Sequence, residues 1–156
     1  MIRRHNEEVN MAPIVSSIEI ARRPEDVFAY ATDAARLPEW QESLLSTRTE
    51  GSGPPAVGSR LIQTRRVGRS ERTMTSELTE LAPPRSWAAR GIDGPVRAMV
   101  KGMVEPLDGD RSRVTIELDF EGHGIGKLLV PLVVRRQARA EMPINMRTLK
   151  ERLEGA

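Results

Sequence analysis

Arg135 and Arg139 stand four residues apart near the C-terminus. Around them Ile125, Leu128, Leu132, Met142, Met146, Leu149 and Leu153 fall within one stripe of roughly 120° when the chain is wound at helical pitch. A guanidinium is a planar, permanently charged fork. Reaching from such a stripe into a cavity, it can hold a ligand carboxylate or phenolate, or pair with a buried glutamate such as Glu77 or Glu105. Pro131 and Pro143 allow a second arrangement. Each removes a backbone hydrogen bond and bends the helix, and the bend can swing the arginines outward with their stems along the surface. Residues 128 to 134 are apolar on every side, so strand loops, a second copy of the chain in a homodimer or a lipid surface must cover them.

Other chemistry is mostly excluded. The chain has no cysteine and only two histidines, His5 and His123, which removes disulfides, thiolate sites and histidine-rich zinc clusters. No metal and no cofactor are expected. His123 is the one imidazole in the folded region, and its setting in Gly122-His123-Gly124-Ile125-Gly126 is too flexible for a fixed general base. Those glycines follow a strand and open a helix, as in dinucleotide sites, yet no later parallel strand completes a βαβ unit. No Gly-x-Ser-x-Gly elbow exists. Arg60, Arg65, Arg66, Arg69 and Arg72 crowd one hairpin without interleaved aromatics, so no nucleic-acid partner is expected. Strand alternation turns either Arg65 or Arg66 inward.

The elements that must position these residues can be read from the pattern. Ile14 to Ile20 alternates as a strand with Ile14, Ile18 and Ile20 on one face. Pro24, Glu25 and Asp26 open a short helix, and Asp33 caps a second that carries Leu37 and Trp40. Six strand-like segments come next, over residues 44–50, 59–67, 73–81, 86–92, 96–105 and 112–121, separated by Gly-, Pro- and Asp-rich turns. Connections this short make an antiparallel meander. The long helix from residue 125 onward closes the chain. Four of the five aromatics, Phe28, Tyr30, Trp40, Trp87 and Phe120, sit where the small helices, sheet and closing helix converge. A core with a gap in it makes a pocket.

With 156 residues, 38% of them hydrophobic and 29% charged, the chain has the size of one domain: residues 13–156 behind a flexible extension over 1–12. Its formal net charge of +2 is too small to imply nucleic acid. No transmembrane segment is expected, and the N-terminus lacks the apolar stretch of a secretory signal, so a cytoplasmic location is expected.

Val15 to Ile20, Arg23-Pro24-Glu25-Asp26-Val27-Phe28-Ala29-Tyr30 and Leu37-Pro38-Glu39-Trp40 resemble the opening of the polyketide cyclase/dehydrase and lipid-transport family, in the START-related, helix-grip SRPBCC superfamily. Thr79 to Arg85 and Val104 to Gly109 resemble its turns, and the likeness runs from Ile14 to Leu153. It implies an α+β helix-grip fold in which a seven-stranded antiparallel sheet wraps a long C-terminal helix, with an apolar cavity between. It also implies an apolar small-molecule ligand such as a lipid, quinone or polyketide-like chain. The alternative is a polyketide aromatase/cyclase working by proton transfer, in which Tyr30 and Arg135 or Arg139 would orient and protonate a nascent ring. Tyr30, Trp40, Trp87, Arg135, Arg139, Met142 and Met146 are the expected ligand-binding residues.

Overall fold

The structure, a computed structural model, describes residues 12–155, so the extension expected over residues 1–12 lies almost wholly outside the described residues. Strand β1 (Ile14–Ile20) leads into helix α1 (Pro24–Ala31), a 3₁₀ turn (Ala34–Arg36) and helix α2 (Leu37–Trp40). Then come β2 (Leu44–Thr49), β3 (Arg60–Val67), β4 (Ser70–Ala82), β5 (Ser86–Gly91), β6 (Val96–Leu107) and β7 (Arg111–Gly122). They form one antiparallel sheet in the order β1-β7-β6-β5-β4-β3-β2. The meander and its turns stand as expected. Local signals explain the short helices: Pro24 occupies the first turn of α1, and the Asp33 carboxylate accepts from the Ala35 N–H at 3.1 Å.

The closing helix departs from the single straight stripe. It runs as α3 (Gly126–Leu129), a π-helical turn (Val130–Val134) and α4 (Arg135–Glu154). Pro131 has no N–H to offer, and its ring would clash with the carbonyl four residues back; the wider π turn accommodates it. A π turn inserts one extra residue, which rotates the helix before it by about 100° relative to the helix after it. Met142, Met146, Leu149 and Leu153 are buried as the stripe requires, whereas Ile125, Leu128 and Leu132 are turned outward and 58–68% exposed. Val130 and Val134 take their places against the sheet.

This rotation splits the core. One cluster gathers Phe28, Trp40, Trp87, Ile116, Met142 and Leu149 around the C-terminal half of the helix, and a smaller one gathers Val96, Val130 and Val134 around its start. β3 and β4 contribute no fully buried residue. Their inward side chains, Leu61, Gln63, Arg65, Met74 and Leu78, face a void.

The Gln137 amide holds the closing helix to the sheet beside that void. It donates to the Arg66 carbonyl at 2.8 Å and accepts from the Gly68 N–H at 2.9 Å, tying α4 to the β3–β4 turn. Gln137→Leu should cost about 1 kcal/mol of stability. Hydrogen exchange at the Gly68 amide should quicken with it, and unchanged exchange would show that the turn does not depend on this bridge.

Candidate functional site

The cavity has a volume of about 600 Å³ and lies between the inner face of β3–β7, the first two helices and α4. Small residues keep it open: Ala89, Ala98 and Ala138 stand where larger side chains would fill it. Phe28, Leu61, Leu78, Trp87, Val100 and Met142 supply apolar wall. A one-residue bulge at Thr79 lets both Leu78 and Leu81 face inward. A side pocket of about 70 Å³ shares Arg65, Met74, Ala98, Ala138 and Glu141 with it and ends at Val134 and Gln137.

Arg65 is the buried cation of this mainly apolar space. β3 alternates, so Leu61, Gln63, Arg65 and Val67 share the inward parity and Arg66 is left exposed. Neutral groups hold the guanidinium. Nε donates to Gln63 Oε1 at 3.2 Å, Nη1 to Ser43 Oγ at 3.4 Å and Nη2 to Gln41 Oε1. Gln63 in turn donates to Ser76 Oγ at 3.3 Å, which fixes its carbonyl toward the arginine. Burial pushes the Arg65 pKa down to about 10, and Glu141, reaching across from α4, draws it back up through space. The indole N–H of Trp40, which also lines the cavity, is buried with no hydrogen-bond partner among the described residues. A charged donor thus faces a mainly apolar chamber, and an unsatisfied neutral donor is buried in its wall.

The expected site residues divide. Trp40, Trp87 and Met142 line the cavity. Met146 is buried in the core behind it. Tyr30 lies outside the lining: its hydroxyl donates to Glu39 Oε2 at 2.9 Å, Arg36 sits 5.5 Å over its ring, and burial followed by that hydrogen bond pushes its pKa up to about 12. Arg135 is buried, 2% exposed, but serves the sheet edge. β1 pairs with β7 only as far as Ile14 and Leu118, and just beyond that point Arg135 donates to Asp119 Oδ1 at 2.9 Å and to the Ala12 carbonyl. Arg139 lies on the exposed face of α4. Neither Glu77, opposite Arg60 and Arg90, nor Glu105, 3.9 Å from Arg113, meets these arginines. The charge expected from the helix comes instead from β3. The parity of Leu61 and Val67 was the signal for Arg65, masked by the competing apolar Ile62 on the other face.

A seven-stranded antiparallel sheet packed on a long C-terminal helix over a lined cavity defines a helix-grip fold. The chain belongs to the polyketide cyclase / dehydrase and lipid transport family, whose profile matches residues 11–154. Among solved structures, TTHA0849 of Thermus thermophilus is 18% identical, with a TM-score of 0.73 over 90% of this chain and 96% of that one. Zhui aromatase/cyclase of a Streptomyces species is 16% identical, with a TM-score of 0.71 over 90% and 94%. A START superfamily protein of Mycobacterium smegmatis is 15% identical, with a TM-score of 0.75 over 92% and 98%. At these identities the likeness establishes the fold. No curated protein is significantly similar in sequence. No helix among the described residues is long and apolar enough to cross a membrane.

Proposed function

We propose that this protein binds an apolar small molecule with one anionic or hydrogen-bond-accepting end: a lipid, a quinone or a polyketide-like chain. The observation that carries this reading is Arg65, a buried guanidinium whose hydrogen bonds among the described residues go to neutral acceptors alone, in the wall of a mainly apolar cavity of about 600 Å³. A cation so placed lacks a bonded counter-anion among the described residues, and a ligand carboxylate or enolate would supply one.

The cyclase alternative requires a group that gives and takes a proton within reach of the substrate. Tyr30, the expected donor, is engaged by Glu39 outside the lining, which leaves the lining carboxylates Glu50 and Glu141 to carry that alternative. An unaltered product profile from poly-β-keto substrates on adding the protein would dismiss it.

Occupancy can be read directly, because Trp40 and Trp87 are the chain's two tryptophans and both line the cavity. A long-chain carboxylic acid should quench or shift their emission saturably, and its methyl ester should bind more weakly. Single-tryptophan variants, Trp40→Phe and Trp87→Phe, should each retain a response. Emission indifferent to both ligands in the full chain would remove the binding proposal.

A further inference from the structure

We infer that the outer face of the closing helix docks on an anionic lipid surface. The π turn at Val130–Val134 rotates Ile125, Leu128 and Leu132 into solvent at 58%, 65% and 68% exposure, and Pro131 is exposed between them. The same outward stripe continues along α4 through Arg136, Pro143, Ile144 and Arg147, all exposed, with Ile144 at 42%. Lys127 is exposed beside Leu128. Between Gly124 and Arg147 the sequence holds one carboxylate, Glu141, and that residue lines the cavity. From Ile125 to Arg147 the stripe is therefore aliphatic at one end, cationic along its length and free of acids on its outward face; exposed Glu151, one turn further on, ends it.

Three kinds of partner would cover exposed leucines, and the charge selects among them. A second copy meeting this face across a two-fold axis would bring two copies of the stretch carrying Lys127, Arg136 and Arg147 together, with no outward acid between Lys127 and Arg147 to answer them. A nucleic acid would satisfy the cations, but the stripe offers aliphatic side chains where stacking aromatics are needed. An anionic bilayer interface satisfies both parts. The leucines enter the boundary between headgroups and acyl chains while the basic side chains meet lipid phosphates. This surface stands apart from the cavity and does not depend on the ligand bound there.

The test is co-sedimentation with vesicles of phosphatidylcholine alone and of phosphatidylcholine mixed with phosphatidylglycerol. The wild type should partition about tenfold more strongly onto the anionic vesicles, and added salt should weaken that binding. Leu128→Glu/Leu132→Glu and, separately, Arg136→Glu should each lower partitioning by about tenfold. Both change exposed side chains, so unchanged thermal melting and tryptophan emission should accompany the loss. Wild type that stays in the supernatant with anionic vesicles, or variants that pellet as it does, would overturn the inference. So would a wild-type dimer in sedimentation velocity that Leu132→Glu converts to monomer, because the face would then be covered by another copy.

Discussion

Arg65→Met is expected to weaken binding of an apolar carboxylic acid by about 10–100-fold, the range of a charged hydrogen bond in a dry site, while leaving the methyl ester nearly unaffected. The same variant should be as stable as the wild type or more so, by about 1–2 kcal/mol. Two effects oppose each other here. Removing the guanidinium strands acceptors on Gln41, Gln63 and Ser43, but the two amides line a cavity large enough to hydrate them, and the Ser43 contact is the longest of the three. Against that, a cation is no longer held away from bulk water, and replacing a buried charge by an apolar side chain of similar volume is commonly neutral or stabilising. Losing the ligand's acid preference while keeping stability distinguishes an anchor from a structural residue. A melting temperature lowered by several degrees, with the preference intact, would reverse the assignment.

The pH dependence carries the same signature. Burial brings Arg65 down to about 10 in the folded chain from its higher ordinary value, so below about pH 10 it is protonated in both folded and unfolded chains and burial costs the folded state in full. Between those two values the unfolded chain holds a proton that the folded chain has released, and stability rises with pH from this group alone. The stability advantage of Arg65→Met should accordingly narrow above about pH 10. Over the same interval the wild type should lose its preference for the acid, since the guanidinium loses its charge.

Why Arg65 stayed ambiguous in the sequence while the strands did not comes down to how many side chains agree. β7 alternates Val114, Ile116 and Leu118 against Thr115, Glu117 and Asp119, and one register satisfies every position. β3 mixes Leu61, Gln63, Arg65 and Val67 with Ile62, Thr64 and Arg66, and each face holds apolar and polar groups. A cavity wall is only partly apolar, so the alternation that identifies a packed strand fades where a strand lines a void. The closing helix shows the reverse problem. Its stripe was legible from Met142 to Leu153, where the helix is regular. It failed before Val134, because wheel geometry assumes one pitch and Pro131 changes it. Arg135 illustrates a further limit: its partners, Asp119 and Ala12, become neighbours only because β1 stops at Ile14. That is a fact of register between strands distant in sequence, and no local pattern carries it.

Gly102→Ala should cost about 2–4 kcal/mol and reduce ligand binding together with stability, a larger effect than adding one methyl group normally brings. Gly102 lies opposite Trp87 in the β5–β6 pairing, and the indole rests on it: a Cβ there would come within 2.1 Å of Trp87 Cζ2 and 2.3 Å of Cη2. Trp87 has little freedom to yield. Its ring meets Phe28 edge-on at a centroid distance of 5.7 Å, it is 7% exposed, and its open side is the cavity. The new methyl group must therefore push the indole into the space a ligand would use, or separate β5 from β6. A double-mutant cycle with Trp87→Leu resolves the cause. If the clash with the indole is the source, Gly102→Ala should cost far less in the Trp87→Leu background than alone, because the smaller side chain leaves room for the methyl. Equal costs in both backgrounds would place the strain in the β6 backbone and would mean that Gly102 does not shape the cavity through Trp87.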